Sequence, residues 1–292
     1  MGAGTWLLGD RVVDRMGFGS MRITADPDPV RAVRVVRRAV ELGVNHIDTA
    51  AFYVSPGGTL GVGDGPRRYA TELIRRALAP YPEELVIATK VGFAVDGAGG
   101  VVEARSPAAL RAQVIDNLRR LGRDHLDLVN LRIVKRPGRD SVAESFGALA
   151  QLRAEGLIRH LGLSNVRADH VAEATAIAPV VCVQNPYGVD FHRDDDALLD
   201  SLGAQGIGYV PFFALAGANR AAGATGTQPD AVRAVARRHG VTEHQVRIAW
   251  TLHRGPHVLA IPGTGDPDHL SANIAAAELR LSDAEMRSLD GT

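Results

Sequence analysis

The sequence predicts an α/β protein, a (β/α)8 barrel of the TIM type that opens with a short β-hairpin and ends in helices. Three observations carry this. Short apolar runs recur at residues 16–20, 44–48, 85–90, 126–132, 158–163, 180–184, 207–212 and 258–261, which makes about eight buried strands. Segments with helical periodicity separate them, so the strands are expected to run parallel, and about eight such units close a barrel. Third, no apolar run leads into G-x-G-x-x-G at a helix start, which the competing open, doubly wound sheet needs to bind a dinucleotide.

The individual elements follow from local chemistry. Thr5 to Leu8 and Arg11 to Val13 flank Gly9-Asp10, a pair able to supply the positive φ angles of a two-residue hairpin turn. Ser106 and Pro107 open a helix with Leu110, Val114, Leu118 and Leu121 on one face. Ser141/Glu144, Thr242/Gln245 and Ser282/Glu285 have capping-box spacing, and Gly43, Gly122 and Gly156 fall where helices should stop. Asp194, Asp195 and Asp196 precede a further helix and read as a cap and dipole complement. Residues 214–229, rich in Gly, Ala and Thr, form a long loop, either a flap over a ligand or disordered.

Composition narrows the function. The 292 residues are 46% hydrophobic, enough for one large core, and a single domain over residues 1–292 is expected. Lysine plus arginine and aspartate plus glutamate each number 33, so no net field draws in nucleic acid or an anionic membrane, and the expected partner is a small molecule. Cys182 stands alone in an apolar stretch, which excludes an internal disulfide and fits a reducing compartment. With no leader-like segment and no apolar run long enough to span a bilayer, a cytoplasmic protein is expected.

Barrel active sites form where strands end, and here the ends are polar. The second run stops at Asp48, the third at Lys90, the fourth at Arg132, the fifth at Ser164-Asn165, the sixth at Gln184-Asn185, the seventh at Phe212 and the eighth at Pro262-Gly-Thr264. Asp48 and Lys90 form a plausible buried ion pair on structural grounds alone. Tyr53, just beyond Asp48, turns the pair into a candidate general acid, because an adjacent ammonium favours the phenolate and is expected to lower the phenol's pKa.

These residues carry a resemblance. Gly43-Val-Asn-His-Ile-Asp48-Thr-Ala-Ala-Phe-Tyr53 with Val86-Ile-Ala-Thr-Lys90 resembles the signature of the aldo-keto reductase superfamily, and the likeness runs along nearly the whole chain. It implies a barrel that reduces an aldehyde or ketone with NADPH, NADH not being excluded, with Asp48, Tyr53, Lys90 and Arg132 as catalytic residues. Ser164, Asn165 and Gln184 match the positions that hold the nicotinamide carboxamide, and Phe212 the aromatic residue that stacks on its ring. Core packing is the other role open to Phe212. Phe213, Leu215, Pro262, Gly263, Thr264, His269 and Asn273 complete the implied cofactor set.

Two departures from the family pattern stand out. Gly263, Thr264 and His269 occupy positions where lysine, serine or asparagine, and arginine usually hold the cofactor's 2′-phosphate. Arg132 occupies the place of a usual histidine. The stretch Asn130-Leu-Arg132 resembles a bacterial branch similar to pyridoxal reductases, which implies pyridoxal, or else a sugar or secondary-metabolite carbonyl, as substrate. Arginine donates only, so Arg132 is suited to polarise a carbonyl oxygen or hold an anionic substituent; the other reading makes it a displaced surface charge.

Other chemistries fit less well. His239, His244, His253 and His257 lack zinc-site spacing, so no metal is expected, and Val166 stands where a nucleophile elbow after Gly162-Leu-Ser164 needs glycine. The alternative from another class is a nicotinamide-nucleotide-binding barrel that acts as a redox sensor or scaffold without turnover.

Overall fold

β1 (Thr5–Leu8) and β2 (Arg11–Asp14) pair antiparallel as expected, with Gly9 at a φ of +68° in the turn. The computed structural model describes residues 2–135, 140–191, 193–212 and 229–291. Seven strands then lie side by side, all parallel: β3 (Phe18–Gly19), β4 (His46–Asp48), β7 (Val86–Val91), β10 (Leu126–Arg132), β11 (Ile158–Ser164), β12 (Val180–Gln184) and β13 (Gly208–Tyr209).

The eighth apolar run is not a strand. It closes the ring through parallel bridges, Tyr209 with Val258 on one side and Met16 with Ala260 on the other. Gly17 and Leu259 donate backbone N–H groups across these seams, to Ala260 at 2.8 Å and to Tyr209 at 2.9 Å. Arg15 reinforces the closure by donating to the carbonyls of Val258, Gly255, Ala3 and Leu252.

Helices α1 (Pro29–Glu41), α2 (Ala70–Leu78), α3 (Pro107–Leu121), α4 (Ala143–Ala154), α5 (Ala168–Thr175) and α6 (Asp196–Ala204) each lead from one barrel strand to the next. α7 (Asp230–His239) and α8 (Glu243–His253) precede the closing segment, while α9 (Pro267–Ala275) and α10 (Asp283–Asp290) end the chain. Ser106, Thr242 and Ser282 cap α3, α8 and α10, the last two with full capping boxes. The box expected at Ser141 does not form: the Ser141 hydroxyl donates to Glu173 at 2.6 Å and accepts from the Ala143 amide at 3.1 Å, while Glu173 also accepts from the Val142 amide at 2.7 Å. Asp195 and Asp196 do not cap α6 with their side chains either; Asp195 accepts from Asn185 at 2.7 Å, and Asp196 from the Tyr187 hydroxyl.

Strand periodicity sorts the side chains. Ile47, Ile87, Val129, Leu131, Leu161, Leu163 and Val183 face the helices in the main core, whereas Val86, Ala88, Leu128, Cys182, Val210 and Leu259 pack inside the ring against Leu8 and Val13 of the hairpin. The hairpin therefore plugs one end. Stepping by two from the inner apolar residues reaches Lys90, Arg132 and Gln184, which is why the polar residues meet at the other mouth. Two small hairpins, β5 (Val54–Ser55) with β6 (Arg68–Tyr69) and β8 (Phe93–Val95) with β9 (Val101–Glu103), stand beside that mouth.

Candidate active site

Lys90 lies on β7 opposite the end of β4, and its Nζ donates to both Asp48 carboxylate oxygens at 2.6 Å and to the Thr49 carbonyl at 3.1 Å. Both charged side chains are only 4% exposed, so pairing is what makes the charges tolerable there. Tyr53 arrives from the loop after β4, with its amide donating to the Ala50 carbonyl at 3.0 Å and its own carbonyl accepting from Ala70 at 2.9 Å. Its ring centroid stands 4.9 Å from Lys90 Nζ. Phe52 packs edge-on to Tyr53 at 5.4 Å and meets Phe93 of β8 at 5.8 Å, forming an aromatic side wall.

Burial, the largest influence, raises the Tyr53 phenol above its ordinary pKa; Lys90 pulls it down, Asp48 pushes it up, and the net shift is upward. This corrects the expectation of a lowered value. Asp48 absorbs much of the Lys90 charge, and a buried phenolate is costly. For Lys90, burial works against the ammonium, but Asp48 and Tyr53 outweigh it and raise the pKa, so the cation persists.

Arg132, the last residue of β10, donates from Nη1 to the hydroxyl of Ser164, the last residue of β11, at 3.1 Å, and its guanidinium covers the Phe212 ring at 4.6 Å. Gln184 ends β12 and donates from Nε2 to Asp48 at 2.8 Å, leaving Oε1 buried and without a partner among the described residues. Asn165 holds a φ of +61°, unusual for a residue with a side chain, steadied by its amide on the Gln184 carbonyl (2.8 Å) and its Nδ2 on the Ile133 carbonyl (2.9 Å).

A cleft of about 890 Å³ runs from this cluster to the closing segment. Asp48, Tyr53, Lys90, Arg132 and Phe212 line one end; Pro262, Gly263, Thr264, His269 and Asn273 line the other. Ser164, Asn165 and Gln184 are not in the lining: Ser164 and Gln184 bond Arg132 and Asp48 of the wall, and Asn165 bonds Gln184 and Ile133 behind it. Phe213, Leu215 and most of the 214–229 loop lie outside the described residues. Sequence reasoning missed Met21, Arg22 and Arg31, which line the far end; Arg31 is held by Asp266, the N-cap of α9, at 2.9 Å. The signal was available for Met21 and Arg22, which directly follow the first apolar run, at the end of a strand as Asp48 is.

Of the four histidines near the closing segment, His244 lines the cleft and the other three have structural partners. His257 bonds the Leu199 carbonyl, His253 that of Ala249, and His239 the Glu285 carboxylate. Cys182 is buried, donates to Asn130 at 3.2 Å, and has its thiol pKa pushed up to about 12 by burial, in keeping with a packing role. Among the described residues no cluster of histidine, cysteine and carboxylates has the makings of a metal site, and no helix is long and apolar enough to cross a membrane.

A phenol and an ammonium at the mouth of a parallel barrel, beside a long cleft, define the machinery of a carbonyl oxidoreductase. The chain belongs to the aldo/keto reductase family, whose model matches residues 15–292, and it is accordingly an enzyme of that class. It is 43% identical to the pyridoxine 4-dehydrogenase of Escherichia coli, over 100% of this chain and 99% of that protein. Among solved structures it resembles an aldo-keto reductase from Klebsiella pneumoniae in complex with NADPH (TM-score 0.79, 26% identity, 98% and 94% of the two chains). A complex of aldo-keto reductase from that organism with NADP and acetate is equally similar (TM-score 0.78, 26% identity, 98% and 94%). The barrel is therefore the expected (β/α)8 fold, and no finding favours a non-catalytic sensor.

Proposed function

We propose that the protein reduces an aldehyde to a primary alcohol with NADPH, and that pyridoxal, the aldehyde of the B6 group, is a substrate. The observation that carries the reading is the placement of Lys90 between the Asp48 carboxylate and the Tyr53 ring at one end of the cleft. The residues fit the cofactor. Gln184 Oε1, just behind the cleft wall, is a buried acceptor in need of a donor, which a carboxamide would supply, and Arg22 and Arg31 line the far end, where phosphate groups need charge, Arg31 being paired there with Asp26 and Asp266. When bound, NADPH supplies the hydride that the carbonyl carbon accepts.

The chain's own residues do the rest. Tyr53, kept protonated by its burial, gives its phenolic proton to the carbonyl oxygen as negative charge develops there. Lys90, held as a cation by Asp48, stabilises the phenolate left behind. Arg132 donates to the same oxygen and lowers the cost of its charge. Ser164, Asn165 and Gln184 orient the carboxamide, and Phe212, Pro262, Gly263, Thr264, His269 and Asn273 flank the cofactor. Support for the substrate comes from the E. coli relative, whose name denotes oxidation of pyridoxine.

The test is a fluorescence titration with NADPH and NADH, followed by addition of pyridoxal and measurement of reduced-cofactor absorbance. Binding with stoichiometric loss of NADPH is expected. Binding without turnover of any aldehyde tried counts against the reading.

A further inference from the structure

The Asp48 charge is spent on Lys90, but no carboxylate pairs with Arg132 among the described residues. The charged or ionisable groups that act on its guanidinium are Tyr53 and Asp48, both at the reacting end of the cleft, and burial draws its pKa below the ordinary value. Arg132 is half-buried and lines the cleft, so an anionic group of a ligand bound there would complete a pairing that no carboxylate makes among the described residues. The guanidinium is also oriented. Phe212 covers a face and Ser164 takes a donor of Nη1, which leaves in-plane N–H groups for the cleft. Such a fork binds two oxygens held side by side in one plane.

We infer that the site selects carbonyl compounds bearing an ionised oxygen adjacent to the carbonyl group, as in ortho-hydroxy aromatic aldehydes, with Arg132 spanning the carbonyl oxygen and the neighbouring oxyanion. This rests on the reductase reading and adds what that site recognises. The neighbouring oxyanion supplies a direct counter-ion, which no carboxylate among the described residues provides. Its carbonyl oxygen is drawn towards the Tyr53 hydroxyl by the same contact that holds the substrate.

The experiment compares two pairs of aldehydes: 3-hydroxypyridine-4-carbaldehyde against pyridine-4-carbaldehyde, and 2-hydroxybenzaldehyde against 4-hydroxybenzaldehyde. In the unaltered protein the ortho-hydroxy member of each pair is expected to have a kcat/KM about tenfold or more higher, as for a hydrogen bond to a charged group. Arg132→Met should erase that ratio, and Arg132→Lys, which keeps the charge without the fork, should keep only part of it. Equal kcat/KM within each pair in the unaltered protein overturns the inference without reference to any variant. It is also overturned if the ratio survives in Arg132→Met, or if that variant loses all four aldehydes equally together with NADPH affinity, which would make Arg132 a cofactor residue. If no aldehyde consumes NADPH, the reductase reading fails, and calorimetric binding of the two pyridine aldehydes decides this inference alone. A preference for the hydroxylated one that Arg132→Met abolishes sustains it; no preference ends it.

Discussion

Gln184 donates from Nε2 to Asp48 Oδ1 at 2.8 Å, onto the oxygen that Lys90 also holds, across 136 residues of sequence. An ionised carboxylate only accepts, so the amide nitrogen must face Asp48 and Oε1 must face away. One interaction thereby fixes both the counter-ion of Lys90 and the direction of an unmatched acceptor. Gln184→Leu is expected to weaken NADPH binding by about tenfold while the protein stays folded, because it removes that acceptor. A fluorescence titration giving the unaltered dissociation constant would mean that Oε1 does not meet the cofactor.

Tyr53→Phe removes the proton donor and little else. Turnover is expected to fall by about a hundredfold or more, with NADPH binding unchanged, since general acid catalysis contributes roughly that much. Residual activity within a few-fold of the parent would transfer the proton-donor role to another group.

The raised pKa of Tyr53 also sets a pH profile. Its cause is burial, and the phenol stays protonated beyond its ordinary value of 10.0. Reduction uses the protonated form, so its rate should stay level across neutral pH and decline only above about pH 10. Alcohol oxidation uses the phenolate and should rise with pH over the same range. A reduction rate that falls with an apparent pKa near neutrality would place the controlling group elsewhere.

Removing Lys90 leaves Asp48 charged in a buried site, with Gln184 as a remaining donor. Lys90→Met should destabilise the protein by about 3 to 5 kcal/mol, the usual cost of stranding one member of a buried pair. Lys90→Met combined with Asp48→Asn should cost less, because an uncharged amide remains. Urea unfolding measures both, and a double variant no more stable than the single one refutes the pairing argument.

Much of this architecture was legible. The runs at Leu126–Arg132 and Val180–Gln184 match strands residue for residue, because each is apolar, bounded and long enough to leave no other period. The closing segment differs from the expected strand because an apolar run does not reveal whether it pairs over its length or only at Val258 and Ala260. Ser141 shows a second limit: capping-box spacing is local, and it lost to Glu173 from a distant helix. At the site, residue types and positions were readable at strand ends, but the sign of the Tyr53 shift was not, because desolvation depends on what packs around the ring. Arg31 lay on a helix whose periodicity does not distinguish a cleft-facing charge from a solvated one.

His46, inside the barrel on β4, gives the last prediction. It is 2% exposed, and among the described residues neither ring nitrogen has a hydrogen-bond partner. The chain makes room for the ring at Gly17, where a Cβ would lie 2.2 Å from it. Burial holds its pKa down to about 4, with the Asp14 backbone offsetting a little of this. The folded pKa lies below the unfolded value of 6.5, so as pH falls the unfolded chain takes up the proton first. The stabilising contribution is whole above pH 6.5 and drains away between there and about 4, for a total of about 3 kcal/mol. His257, also drawn down by burial, acts in the same direction. Buried carboxylates such as Glu285, held at about 2, begin to matter only as pH drops below their ordinary value of 4.5, so the window from 6.5 to 5 belongs to the histidines. His46→Leu should flatten the loss of unfolding free energy between pH 7 and pH 5 by about 2 kcal/mol. If the variant loses stability over that interval as steeply as the parent, His46 is not the group that titrates.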